Sequence, residues 1–154
     1  MRKITVLFSI LAIAAFSKIT FGQAKYKTYS NARFGYSISY PADLLTPQGE
    51  ADNSDGQVFS GEGAEMRVFG SNMLLNETLP KEYNALVKEK SKGVTYKVFK
   101  NDFFVISGKE NGKIYYQKTM KGANGAFLTF MIEYDESKSQ PYDAVVTKIV
   151  KSLK

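Results

Sequence analysis

The chain has no cysteine, no histidine and no tryptophan, and only four prolines among its 154 residues. Without cysteine there is no thiol nucleophile, disulfide or thiolate metal site. Without histidine there is no imidazole acid–base chemistry, no Ser-His-Asp triad and no histidine zinc site. Catalysis would fall to carboxylates, Lys, Tyr, Ser or a borrowed cofactor, and no cofactor is assigned. Long hydrophobic runs are also missing. The stretch Ile4–Phe16 is mostly apolar, but a membrane-spanning helix needs about 20 such residues. A secreted domain without disulfides must be held by its core alone, and residues 23–154 are enough to build one.

What is present suits that requirement. Hydrophobic residues make up 44% of the chain and aromatics 14%, the latter all Tyr and Phe, a composition of globular, strand-rich domains. Residues 1–22 read as a signal peptide. Arg2 and Lys3 precede the apolar run, and Thr20-Phe21-Gly22 offers a cleavage site before Gln23. Removing Arg2, Lys3 and Lys18 lowers the formal charge from +6 to +3, so the basic balance is partly a targeting feature. The remaining charge is uneven: residues 23–80 carry four basic and seven acidic side chains, residues 81–154 fourteen and eight.

Residues 23–154 form one domain without repeats or linkers. Tyr26–Tyr29 reads as a short strand. In Phe34–Tyr40 the residues Phe34, Tyr36, Ile38 and Tyr40 alternate with small ones, which predicts a half-buried strand ended by Pro41. Ala42–Leu45 reads as a turn or helical step, and Gly49–Gly56 as a polar turn. Strands are predicted at Gln57–Ser60 and Glu65–Phe69, then a helix over Pro80–Ser91 capped by Thr78 and stopped at Gly93. A four-strand meander follows: Val94–Lys100, Phe103–Lys109, Ile114–Met120 and Ala126–Tyr134. Its hairpin turn at Asn111-Gly112 has type I′ chemistry, and its last strand is apolar enough to be covered on both faces. Ser139 is placed to cap a final helix whose stripe is Tyr142, Val145, Val146, Ile149, Val150 and Leu153. The fold class is α+β, a twisted antiparallel sheet with helices packed against it.

The stretch Asn31-Ala32-Arg33-Phe34-Gly35-Tyr36-Ser37-Ile38-Ser39-Tyr40-Pro41, with the Gly49–Gln57 turn, the Phe103–Gly108 strand and the closing helix, resembles the PsbP-like (Mog/PsbP) fold. The likeness spans residues 26–154 and is strongest to small secreted bacterial proteins of unassigned function. It implies an α/β/α sandwich and a non-catalytic domain, since relatives act as extrinsic subunits or protein-binding modules. No functional residue carries over. A photosynthetic role is not implied, because the histidine such a relative uses near metal has no counterpart here.

Three constellations carry the site chemistry. Asn53, Asp55, Gly56 and Glu62 fall at positions 3, 5, 6 and 12 of an EF-hand-like calcium loop. Position 1 is Ala51, where a carboxylate is needed, and Asp52 replaces it only by a register shift. A solvated turn whose Asx side chains bond their own backbone is the simpler account. Asp43, Asp52, Asp55, Glu62 and Glu65 are the carboxylates available to a hydrolase, but no spacing pairs two of them. Ser37 and Ser39 have no base. Lys88, Lys90, Lys92, Lys97 and Lys100, with Tyr83, Tyr96 and Phe99, outline a basic and aromatic surface for an anionic ligand or surface; an ordinary solvated face gives the same pattern. The expectation is a secreted or periplasmic, non-enzymatic binding domain with an unidentified protein partner and no nucleic-acid partner. Its interaction surface is sought at Asp52, Asp55 and the five lysines. A small-ligand or polyanion binder is the alternative, and a carboxylate hydrolase the third reading.

Overall fold

A computed structural model describes residues 24–154, except for the side chain of Asn124; the predicted signal peptide lies outside the described residues. Among the described residues nine strands form two antiparallel sheets. β1 (Tyr26–Asn31) and β2 (Tyr36–Pro41) make a separate hairpin. β3 (Thr46–Glu50), β4 (Gly56–Gly61), β5 (Ala64–Asn72), β6 (Val94–Phe99), β7 (Phe103–Glu110), β8 (Lys113–Lys121) and β9 (Ala126–Asp135) make a seven-stranded sheet in the order β3-β4-β5-β9-β8-β7-β6. Helix α1 (Leu79–Glu89) lies on one face of the large sheet; α2 (Ser139–Ser152) and the β1–β2 hairpin cover the other. This is the expected α+β sandwich.

Period-two alternation divides the central strand between the two faces. Leu128, Phe130, Ile132 and Tyr134 of β9 join Met66 and Val68 of β5, Phe59 of β4 and Ile38 of β2 in the larger core, closed by Tyr142, Val145, Val146 and Ile149 of α2. Each such side chain contributes about 1.5–3 kcal/mol on burial. On the opposite face Phe127 joins Phe104, Ile106 and Leu79 beneath α1. Coverage of β9 on both faces therefore holds at its Phe127–Thr129 end. It fails toward Met131 and Glu133, where Glu133 is exposed, because α1 is too short to reach over them.

The turn chemistry is as the sequence dictates at two places. Asn111 and Gly112 have φ of 51° and 76°, and Glu110 faces Lys113 across the hairpin. Thr78 is extended, and its Oγ1 accepts the Lys81 N–H at 3.4 Å, capping α1. Ser139 does not cap α2: it is already helical, the cap position is Lys138, and a 3-10 turn at Glu136–Lys138 feeds the helix.

Two further features depart from expectation. β3 occupies Thr46–Glu50, where no strand is predicted and only Gly49 and Glu50 belong to the predicted turn; all five of its residues are exposed and it contains Pro47, so neither periodicity nor propensity marks it. The strand built on the Tyr36–Tyr40 alternation starts at Tyr36, and Phe34 sits half-buried in the preceding turn. The hairpin is fastened from a distance. Ser37 and Lys154 exchange backbone hydrogen bonds of 3.2 and 3.1 Å, and Ser152 Oγ accepts the Ser39 N–H at 2.8 Å.

Candidate functional site

The stretch Asn31–Pro41 is a latch. Asn31, 2% exposed, accepts the Phe34 N–H on Oδ1 at 2.8 Å and the Gly35 N–H on its carbonyl at 3.0 Å. Gly35 then takes φ of 65°, which turns the chain into β2. The Asn31 amide lies 3.0 Å from Glu50 Oε1, 3.0 Å from Tyr29 Oη and 2.9 Å from Ser54 O. Tyr36 Oη reaches the Asp55 and Val68 carbonyls, each at 3.1 Å, and burial pushes its hydroxyl well above the ordinary range. Arg33 donates to the Asn53 carbonyl. The motif's polar groups thus pin the β3–β4 loop to the hairpin.

That loop holds Asp52, Asn53 and Asp55. Asp52 is exposed. Asn53 Nδ2 donates to Asp55 Oδ2 at 2.7 Å and Asn53 Oδ1 accepts the Asp55 N–H at 3.3 Å, the self-capping turn expected of Asx residues. Glu62 is elsewhere. It sits in the β4–β5 turn, paired with Lys138, whose hydrogen bond and charge hold the carboxyl below its usual range. The six residues of β4 separate it from Asp55, about 20 Å at the rise of a strand. Asn53, Asp55 and Glu62 therefore do not converge on one ion, which corrects the calcium-loop register: the segment between them is extended where an ion loop must curl. Among the described residues no three acidic side chains gather as a metal site.

The five lysines divide. Lys90 is half-buried; its Nζ lies 2.9 Å from Glu110 Oε2 and 5.3 Å from the centre of the Tyr115 ring. The Glu110 hydrogen bond raises its pKa. Lys88, Lys92, Lys97 and Lys100 are exposed, and among the described residues none has a carboxylate within 4 Å. They border the end of α1 and edge strand β6.

Beside α1, where the sheet face is uncovered, lies a cleft of about 220 Å³. Leu86, Met131 and Tyr115 give it apolar walls; Arg67, Glu65 and Glu133 give it charge. Glu65 and Glu133 are direct partners across β5 and β9, a juxtaposition of two carboxylates that sequence spacing does not reveal. Each lies against a cation, Glu65 on Arg67 at 2.6 Å and Glu133 on Lys113 at 2.8 Å. A nearby cation favours the ionised form of a carboxyl, so both side chains are charge-paired carboxylates rather than a desolvated acid. Asp43 is exposed after β2 and stands apart from them. At the cleft wall the Tyr115 hydroxyl lies against Gly108, buried and without a hydrogen-bond partner among the described residues. Burial raises its pKa, opposed by the charge of Lys90.

The loop between β5 and α1 exposes three successive apolar side chains, Met73, Leu74 and Leu75, at 38, 69 and 94%. No period marks them, and the only signal in the sequence is a pair of leucines in an otherwise polar connection. No helix among the described residues is long and apolar enough to cross a membrane.

No family model and no curated protein matches this chain. A solved structure does: the cyanobacterial PsbP (CyanoP) of Synechocystis sp. PCC 6803 superimposes with a TM-score of 0.60 at 12% identity, covering 88% of this chain and 95% of that one. The three layers, the strand order and this superposition together give the chain a PsbP-like fold.

Proposed function

We propose that the chain is a secreted or periplasmic, non-enzymatic accessory domain that binds another protein. The observation that carries this reading is the Leu74-Leu75 pair, 69 and 94% exposed on a loop beside a well-packed domain. Burying the two leucines against a partner would contribute about 3–6 kcal/mol, and exposed apolar groups clustered this way mark contact sites. The signal-like residues 1–22, the lack of cysteine and histidine and the PsbP-like fold support the same reading. A photo-crosslinking residue at Leu75, in the native envelope, is expected to trap one protein that the same residue at Thr147 on α2 does not trap. Leu74→Ser should weaken the adduct. Equal labelling from both positions would overturn the proposal, as would hydrolytic turnover lost on replacing Glu65 or Glu133.

A second reading, a small-ligand binder, is supported by the cleft beside α1 with its unpaired Tyr115 hydroxyl. A ligand offering an acceptor there would satisfy a group that costs about 1–3 kcal/mol unpaired. Tyr115→Phe would then change ligand affinity while leaving the Leu75 adduct unaltered.

A further inference from the structure

The two edges of the seven-stranded sheet are finished differently. β3 carries Pro47, Gly49 and a register shift between Pro47 and Glu50, all of which obstruct an incoming strand. β6 has no proline, and its one irregularity lies between Val94 and Tyr96. From Tyr96 to Phe99 it runs in unbroken register with β7. Lys100 donates its N–H to Phe103 at 2.8 Å. Alternation along an antiparallel ladder then turns the N–H and C=O of Lys97 and Phe99 away from β7, where no other segment among the described residues takes them.

The side chains of this edge are sorted as well. Lys97 and Phe99 stand opposite Ile106 and Phe104 and so share the α1 face, the face on which α1 ends with Lys88 and Lys92 close by in sequence; Tyr96 and Val98 stand opposite Ser107 and Val105 on the other face. Tyr96 is 55% exposed and Phe99 38%. Between positions 88 and 100 there are five lysines and one glutamate, and four of those lysines have no carboxylate partner among the described residues. Asp102, in the following turn, is the nearest acid in sequence to Lys100.

We infer that β6 is a strand acceptor: it takes, by backbone pairing at Lys97 and Phe99, an extended segment of the partner protein in which acidic residues alternate with apolar ones. Strand addition draws affinity from main-chain hydrogen bonds and specificity from alternate side chains. Here the acidic set faces Lys97 and the apolar set faces Tyr96 and Val98. Charge selects this occupant over a second copy of the chain, since self-pairing would bring the same lysines of two chains onto one ladder, where like charges repel. The inference rests on the protein-binding reading and names its partner's chemistry.

The test titrates a capped six-residue peptide alternating Glu and Val, at millimolar concentration, into the isotopically labelled domain. The expected result is slowed amide exchange at Lys97 and Phe99, with binding that weakens as salt rises. Lys97→Gln, an exposed and structurally neutral change, should raise the Kd about threefold, as loss of one cross-strand charge contact does. Lys97→Pro should abolish binding while keeping the β6–β7 ladder, because its N–H faces solvent. Equal binding of a Lys–Val peptide, unchanged exchange at Lys97 and Phe99, or a dimer of the free domain paired through β6 would each overturn the inference. None of these outcomes bears on the adduct at Leu75, so the two proposals fail separately.

Discussion

Replacing Asn31 with alanine tests whether the latch is structural. The change removes one acceptor and one amide that lies among Glu50, Tyr29 and Ser54 within 3.0 Å, at a residue 2% exposed. The bond to the Phe34 N–H, at 2.8 Å, goes too. An intramolecular hydrogen bond contributes about 0.5–1.5 kcal/mol net. The amide has two protons and the oxygen receives one bond, so three bonds are lost at full strength and the loss is about 3 kcal/mol. Glu50 recovers part of this by hydration, being exposed. Denaturant unfolding should show the midpoint falling with the slope unchanged, and thermal unfolding a drop of about 10 °C. Asn31→Asp sharpens the test. It keeps the acceptor for Phe34 but sets a carboxylate against Glu50 and the Ser54 carbonyl. Its folded-state pKa is then raised, so the variant is least stable at neutral pH and regains stability as pH falls through that raised value. A loss below about 0.5 kcal/mol for Asn31→Ala, or an Asn31→Asp variant indifferent to pH, would refute the latch.

Two further predictions concern packing and alkaline stability. A Cβ on Gly70 would lie 2.6 Å from Phe34 Cδ2 and closer still to the root of the ring, so Gly70→Ala should expel Phe34 and cost about 1–3 kcal/mol, seen as a lower denaturation midpoint with a newly exposed aromatic signal. Burial raises the hydroxyls of Tyr36 and Tyr134, with Asp143 adding to the effect at Tyr134. Their stabilising contribution is complete below the ordinary tyrosine range and lost as pH rises through the raised values. The ultraviolet phenolate signal of these two should therefore appear only with unfolding.

The parts of the fold legible in the sequence are those where local chemistry and tertiary packing agree. The Asn111-Gly112 hairpin, the Thr78 cap and the α2 stripe each follow from residues close together in the chain. β3 was illegible because an exposed edge strand needs no apolar period, and Thr46–Glu50 is defined by pairing with β4 alone. The early end of α1 at Glu89 has a similar cause: Gly93 bonds back to Lys90, so the chain leaves the helix before the glycine that marks its stop. The site was legible in part. The lysines around β6 stand out by composition, and the Asx turn by its residue types. The Glu65–Glu133 juxtaposition did not, because β5 pairs with a strand more than fifty residues later, and spacing carries no information about that. Nor did the exposure of Leu74 and Leu75, since the sequence records their hydrophobicity but not the absence of anything to cover them.

The bonds from Ser37 and Ser39 to Lys154 and Ser152 join segments 113 or more residues apart. The β1–β2 hairpin is thus fastened twice, by Asn31 and Tyr36 to the β3–β4 loop and β5 and by Ser37 and Ser39 to the segment after α2. Closing so large a loop is slow, so these bonds are expected to form after the local hairpins. Removal of Ser152–Lys154 should therefore speed amide exchange in β2 while the seven-stranded sheet stays paired.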